Sequence, residues 1–182
     1  LSQFILNHRI DAICRSVKVD GNNQEWANTD HALFVGEKSQ VQGTLRCSCD
    51  DKNVYFLVEV LDRSLLRGDY ATVYLSPDDS KSLVNGAKRI QVSMDGLKST
   101  ETYAGKWNSA EMGVEVKTYV CNDTNEDRID NYGYIAEISI PRSSLTISSG
   151  QVLVNFSITD NKEEEAVSDV SSISRWIPVA GL

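Results

Sequence analysis

From Val41 onward, apolar and polar residues alternate with a period of two in one segment after another, which marks strands resting one face on a core. In the first of these, Val41, Gly43, Leu45, Cys47 and Cys49 share a face, and Gln42, Thr44, Arg46 and Ser48 take the other. The turn Asp50-Asp51-Lys52-Asn53 leads into a longer run, 54–61, that is apolar on both sides. Val54, Phe56, Val58 and Val60 point one way; Tyr55, Leu57 and Leu61 flank Glu59 on the other. A strand of that kind needs cover on both faces. Further strands are predicted from Tyr70 to Leu75, Arg89 to Met94, Val114 to Val120, Tyr134 to Ile140 and Val152 to Ile158. Ala32 to Val35 reads as a short edge strand. Ser76-Pro77-Asp78-Asp79, Asp95-Gly96 and Pro141 supply the stops, since proline removes a ladder donor and acidic or glycine pairs favour turns.

The remaining segments read differently. Leu1 to Arg15 carries only a weak helical spacing and is expected to be a linker or N-terminal extension. Val17 and Val19 meet the turn cluster Asp20-Gly21-Asn22-Asn23, and Trp26 follows in a short helical or turn segment. Ser99 to Met112 is polar and irregular, with Tyr103 and Trp107 standing out, and Asn122 to Asn131 reads as a polar turn. Eight or more short strands with no long amphipathic helix predict an all-β, antiparallel β-sandwich. Residues 1–16 form the extension and residues 17–182 a single domain.

Composition narrows the partners. The chain has 182 residues, 41% hydrophobic and 24% charged, with a formal net charge of −8. That sign opposes a nucleic-acid backbone, which requires clustered Lys and Arg, and an anionic membrane surface. No apolar run approaches the roughly 18 residues of a membrane span. The chain begins at Leu1 rather than Met, so it reads as a piece of something longer. Cys14, Cys47, Cys49 and Cys121 lack metal-site spacing. Buried thiols account for them, with a disulfide such as Cys14 to Cys121 as the alternative.

Catalytic machinery is not apparent. His8 and His31 are the only histidines, and neither neighbours a Gly-framed serine, so a nucleophile–base arrangement is not expected. Metalloprotease, phosphate-loop and dinucleotide motifs are missing. Glu59 and Asp62 are the carboxylate pair nearest to glycosidase chemistry, but acids at strand ends more often face solvent or bind metal. Asp20, Asp50, Asp51, Asp62, Asp78, Asp79 and Asp160 lie at strand ends, where carboxylates can converge on a hard cation such as Ca2+. Asp20, Asp62 and Asp160 are the candidate metal ligands; turn stabilisation by their side chains is the commoner alternative. No organic cofactor is expected. A sugar surface needs an aromatic platform rimmed by groups that read hydroxyls. Arg89, Gln91, Tyr103 and Trp107 are candidate ligand-binding residues, while Trp26 and Trp176 read as core plugs.

The order of motifs resembles family 9 carbohydrate-binding modules. Val19-Asp20-Gly21 with Glu25-Trp26 is similar to the family's "DG…W" opening, and Cys49 to Asp62 to its "WDdxxLYvlveVxD" strand pair. Asp69 to Leu75 resembles "DSVEIFID", Tyr134 to Pro141 "GYxvEvaIP", and Val154 to Asp160 "GfniqvnDa". The match runs from about Val17 to Trp176. The resemblance implies a β-sandwich of the DOMON group, usually attached to secreted polysaccharide-degrading enzymes and often holding structural calcium. The family's sugar site clamps a reducing end between two tryptophans. Here Leu65 and Leu66 stand at the first tryptophan's position, Arg89 near that of a binding glutamine, and Ile177 to Gly181 replaces the second. Thr72 stands at the position of a strand acid that bonds sugar hydroxyls, so the resemblance adds it to the candidate ligand-binding residues. The clamp is therefore expected to be missing. The expected function is non-catalytic, weak glycan recognition by one domain of an extracellular or cell-surface bacterial protein, beside a neighbouring catalytic domain. The alternative is a structural or protein-interaction spacer, favoured if Leu65 and Leu66 form an apolar patch. A haem role needs axial ligands from Met94, Met112, His8 or His31 and is the least favoured.

Overall fold

The alternating segments resolve into two facing sheets. The computed structural model describes residues 9–26, 32–36, 41–62, 65–125, 128–160, 165–166 and 176–182. Along the chain these form β1 (Ile10–Asp11), β2 (Ile13–Cys14), β3 (Leu33–Gly36), β4 (Val41–Cys49), β5 (Asn53–Asp62), β6 (Tyr70–Leu75) and β7 (Lys88–Ser93). Then come β8 (Gly96–Tyr103), β9 (Trp107–Ser109), β10 (Glu115–Asn125), β11 (Arg128–Pro141), β12 (Gln151–Asp160), β13 (Glu165–Ala166) and β14 (Ile177–Ala180). One sheet has the order β1-β14-β12-β6-β7-β8-β9, with β13 beside β12. The other has the order β10-β11-β5-β4-β2, with β3 also on β4. All pairings are antiparallel except β1 with β14 and β2 with β4. Among the described residues no helix is long and apolar enough to cross a membrane.

The core lies between the sheets and takes the inward half of each alternation. Leu45, Val54, Phe56, Val58, Val73, Ile90, Ile138, Ile140, Val154 and Phe156 meet there, all buried. The other face of β5 is covered at one end, as its apolar character requires: Tyr55 and Leu57 pack with Val17 and Trp26 in a second cluster. Trp26 sits in a one-turn 3-10 helix, Gln24–Trp26, and is the plug anticipated for it.

A buried carboxylate holds that cover down. Glu137, on the outward face of β11, is 1% exposed. It accepts the backbone N–H of Asp20 at 2.8 Å, the N–H of Gly21 at 2.7 Å and the indole N–H of Trp26 at 3.0 Å. Gly21 has φ +83°, and a Cβ there would lie 3.2 Å from the carbonyl oxygen of Thr118. The glycine thus allows the turn to press against β10.

The structure differs from the sequence reading in three places. Ile10–Asp11 and Ile13–Cys14, assigned to the extension ahead of residue 17, pair with β14 and β4 respectively. This short strap joins one edge of both sheets; its two-residue pieces are too brief to show an alternation. Ser99 to Met112 is not irregular, because it carries most of β8 and all of β9. Its pattern was hidden because the inward residues are also polar: Thr100 and Thr102 donate hydroxyls to the carbonyls of Ala110 and Ala87. Asn122 to Asn131 is not merely a turn, since the β10–β11 ladder continues to Asn125↔Arg128. Its register shifts past Cys121↔Gly133 to Asn122↔Asn131, leaving Tyr132 as the extra residue of a bulge. Gly133 carries that bulge at φ +133°, where a Cβ would stand 1.7 Å from the carbonyl oxygen of Val60.

The cysteines separate. Cys47 and Cys49 are buried on the core side of β4. Cys14 and Cys121 lie on strands at opposite edges of one sheet, with β11, β5 and β4 between them, so they cannot form the disulfide considered above.

Two stability predictions follow from these contacts. Glu137→Ala leaves three donors, two of them buried, without their acceptor and should lower unfolding free energy by about 3 kcal/mol in urea titrations. In the turn before β5, Asp50 accepts the Tyr55 hydroxyl and the N–H groups of Asn53 and Lys52. Those bonds, the tyrosine's first, lower its pKa from 3.8 to about 2. A depressed carboxylate stabilises above its unfolded pKa, so the benefit is complete above pH 4 and fades between pH 4 and 2. Asp50→Asn should cost about 1 kcal/mol at pH 7, after allowance for solvent screening, and the difference from wild type should vanish near pH 2 in pH-dependent melting.

Candidate functional site

Because one outer face is partly covered by the Trp26 turn, the other sheet's outer face is the place to look for recognition. Two rows cross it. Asn155 of β12, Tyr74 of β6, Arg89 of β7 and Glu101 of β8 are partners in register. Ser157, Thr72, Gln91 and Ser99 form the neighbouring row on the same strands. These positions alternate with the inward Val73, Ile90, Val154 and Phe156, so strand pleat alone brings them together.

The second row is a relay of hydrogen bonds. Ser99 donates its hydroxyl to Gln91 Oε1 at 2.9 Å, and Gln91 Nε2 donates to Thr72 Oγ1 at 3.3 Å. Thr72, Gln91, Ser157, Asn155 and Tyr74 are all buried, so this part of the face is enclosed. Exposure increases towards β8 and β9, where Ser99, Glu101, Tyr103 and Trp107 are half-buried.

That wall is aromatic and charged. The guanidinium carbon of Arg89 lies 4.4 Å from the centroid of Trp107, a cation–π contact. Arg89 Nε also forms an ion pair with Glu101. Tyr103 meets Trp107 edge-on at 5.3 Å, and Tyr74 approaches it at 6.0 Å. Trp176 packs with Tyr74 and Leu153 beside Trp107. It is 3% exposed, a plug as anticipated, but on the outer face rather than in the main core, and its indole Nε1 finds no hydrogen-bond partner among the described residues.

All five residues named as ligand candidates, Arg89, Gln91, Thr72, Tyr103 and Trp107, therefore share this face. Trp107 is only partly open, because Arg89 covers one side of the ring. Sequence reasoning missed Tyr74, Glu101 and Ser99. The first looked like one more residue of an apolar strand, and the others lay in the segment read as irregular. Carrying the β7 alternation across to β8 would have aligned Arg89 with Glu101 and Gln91 with Ser99.

At one end of the sandwich, Asp62, Asp69 and Asp160 each place a carboxylate oxygen within 4.8 Å of the others, and all three are buried. They come from the end of β5, the start of β6 and the end of β12. Hard oxygen donors at that spacing suit a cation with oxygen bonds of about 2.3–2.6 Å, as Ca2+ has. The local field is strongly negative: burial, then Asp69 and Asp62, push the phenol of Tyr134 well above its usual pKa.

Asp20 is not part of this group. Its own carboxylate accepts the N–H of Asn22 at 3.0 Å in the Glu137-bound turn. Asp69 takes the third place and also caps the N–H of Leu66 at 2.6 Å. Following strand direction would have found it, since β5 ends and β6 begins at the same end. Glu59 cannot pair with Asp62 for catalysis, because the two lie on opposite faces of β5. Leu65 is buried in the core and Leu66 is exposed, so they form no joint patch. Met112 is in the core and Met94 packs against it, while His8 and His31 lie outside the described residues.

An antiparallel β-sandwich with a polar and aromatic outer face and an acidic group at one end is an architecture of binding modules. Residues 18–179 match the family model described as "Carbohydrate family 9 binding domain-like", and the chain belongs to that family. It is 28% identical over 121 residues to endo-1,4-beta-xylanase C of Paenibacillus barcinonensis, a stretch covering 66% of this chain. The match covers only 10% of that relative's length. Two solved structures have a similar fold at 16% identity. Both are a family 9 carbohydrate-binding module from Caldicellulosiruptor kristjanssonii. The glucose complex has a TM-score of 0.66, with 94% of each chain covered. The cellotriose complex has a TM-score of 0.67, with 94% of this chain and 92% of that one covered.

Proposed function

We propose that this chain is a non-catalytic glycan-recognition module of a larger extracellular or cell-surface polypeptide, and that it binds sugar on the outer face of β6 to β9. The observation that carries the reading is the wall in which Arg89 lies against Trp107 with Tyr103 and Glu101 alongside. Aromatic surface supplies contact area to the apolar side of a pyranose ring, and the guanidinium, carboxylate, amide and hydroxyl groups supply hydrogen bonds to its hydroxyls. Family membership and the glucose- and cellotriose-bound neighbours support the choice of ligand class. The xylanase relative supports a catalytic domain elsewhere in the same polypeptide. The spacer reading loses its motivation with the burial of Leu65.

Isothermal titration with cellotriose and with xylo-oligosaccharides should give a dissociation constant of about 0.1–1 mM for at least one of them, an affinity set by a few contacts. Arg89→Ala should weaken it about tenfold. Absence of heat with every one of these sugars sinks the reading.

The same proposal places a structural Ca2+ on Asp62, Asp69 and Asp160, where it would neutralise three buried carboxylates and tie the end of β5 to β6 and β12. Saturating calcium should raise the melting temperature by about 5–10 °C over the protein in chelator. Asp62→Asn should abolish most of that difference. Identical melting curves in calcium and in chelator refute the site.

A further inference from the structure

The wall depends on a hairpin with few supports. β9 is a three-residue strand at the sheet edge, and it pairs only with β8 among the described residues. Its connection to β8 is the tight turn Ala104-Gly105-Lys106, closed by a bond from the N–H of Ala104 to the carbonyl of Lys106 at 2.9 Å. A Cβ on Gly105 would meet nothing within 4 Å, so side-chain packing does not hold the apex.

A neighbouring turn does hold it. Val84 to Ala87 is a β-turn closed by a bond from the N–H of Ala87 to the carbonyl of Val84 at 3.1 Å, with Gly86 at φ +91° in its third position. That geometry sets Asn85 at the corner. Its Oδ1 accepts the N–H of Gly105 at 3.0 Å. Two backbone bonds run beside it: Gly86 N–H to the carbonyl of Tyr103, and Tyr103 N–H to the carbonyl of Ala87, each 2.8 Å. The backbone bonds fix the base of the hairpin, and Asn108 Nδ2 donates to the carbonyl of Lys106 at 2.8 Å within the hairpin itself. Among the contacts described, Asn85 is the side chain from outside the hairpin that holds its tip.

We propose that Asn85 is a positioning residue for the recognition face: its side-chain carbonyl fixes the tip of the β8–β9 hairpin and so sets the pose of Trp107 against Arg89. Its importance for sugar binding rests on the reading of that face as the glycan site, whereas its effect on Trp107 does not. Tyr103 is held at the base by its two backbone bonds, whereas Trp107 leaves the turn on the edge strand β9, so a tilt of the tip moves the Trp107 ring relative to Arg89, which is anchored on β7. The role requires an acceptor oxygen at the position and nothing else of asparagine.

The test compares Asn85→Ala with Asn85→Asp in the full chain, each also combined with Trp107→Phe. Subtracting the near-ultraviolet circular dichroism of each Trp107→Phe partner isolates the Trp107 contribution. Asn85→Ala should lose about half or more of that contribution, while Asn85→Asp, which keeps an acceptor, retains it. Cellotriose affinity should fall about fivefold in Asn85→Ala and stay within about twofold of wild type in Asn85→Asp. An unchanged Trp107 signal in Asn85→Ala overturns the proposal, and so does equal damage from both substitutions. If the wild type itself fails to bind cellotriose, the glycan reading is what suffers, and the Trp107 signal still decides the role of Asn85.

Discussion

A charged carboxylate buried on the outward face of a sheet is costly unless donors surround it, and Glu137 meets that requirement with three N–H groups from one short loop. The constraint works in both directions. The loop residues Asp20, Gly21 and Trp26 hold their places because the carboxylate accepts hydrogen bonds from their N–H groups. The carboxylate tolerates burial because the loop and its tryptophan exclude water from that part of the sheet. One end of the six-stranded sheet's outer face is thereby filled, and the two sides of the sandwich become chemically different. The motifs at residues 19–26 and 134–141, far apart in sequence, are two halves of this one contact.

With that side occupied, the other sheet is free to carry polar residues outward without cost to the core. Thr72, Gln91 and Ser99 satisfy one another, so burial of the row leaves their linked groups hydrogen-bonded. Arg89 is held by an ion pair from β8 and a ring from β9, two elements whose own positions depend on the tight turns around Gly86 and Gly105. The acidic group of Asp62, Asp69 and Asp160 lies at a different place, where β5, β6 and β12 of the two sheets come together, away from the wall of Arg89 and Trp107.

The sequence revealed most where side chains alternate against the core. In β4, β5, β6, β7, β11 and β12 apolar residues recur at every second, core-facing position, and the register follows from that period of two. Legibility failed where the period carries no hydrophobic contrast. In β8, Thr100 and Thr102 face inward while Ser99 and Glu101 face outward, so both sides read as polar although a strand is present. The strap at Ile10 to Cys14 escaped because its pieces are two residues long. For the site, Gln91 and Arg89 could be chosen because they lie on the polar face of an alternating strand, and Thr72 because the family resemblance sets it at a strand acid's position. Asp69 and Glu101 could not, since their roles arise from which strands end together and which lie side by side. Asp20 shows the same limit from the other direction: an acidic turn residue near a motif reads as a ligand until its loop is seen bound to Glu137.

The position of Trp107 bears on how this face can recognise anything. A ring clamped between two tryptophans needs two open aromatic faces set apart by the thickness of a sugar. Trp107 has the Arg89 guanidinium over one face, the edge of Tyr103 at 5.3 Å and Tyr74 at 6.0 Å, so much of its surface is already in contact. What the wall presents to an approaching ligand is instead a held guanidinium beside a carboxylate, with aromatic edges around them. Arg89 is fixed by two contacts, so it has little conformational entropy left to lose on binding, and its remaining N–H groups keep a constant direction. A surface of this kind discriminates by the placement of hydroxyl groups more than by the area of an apolar ring. The same packing that closes the tryptophan face thus also holds the polar rim in a fixed arrangement.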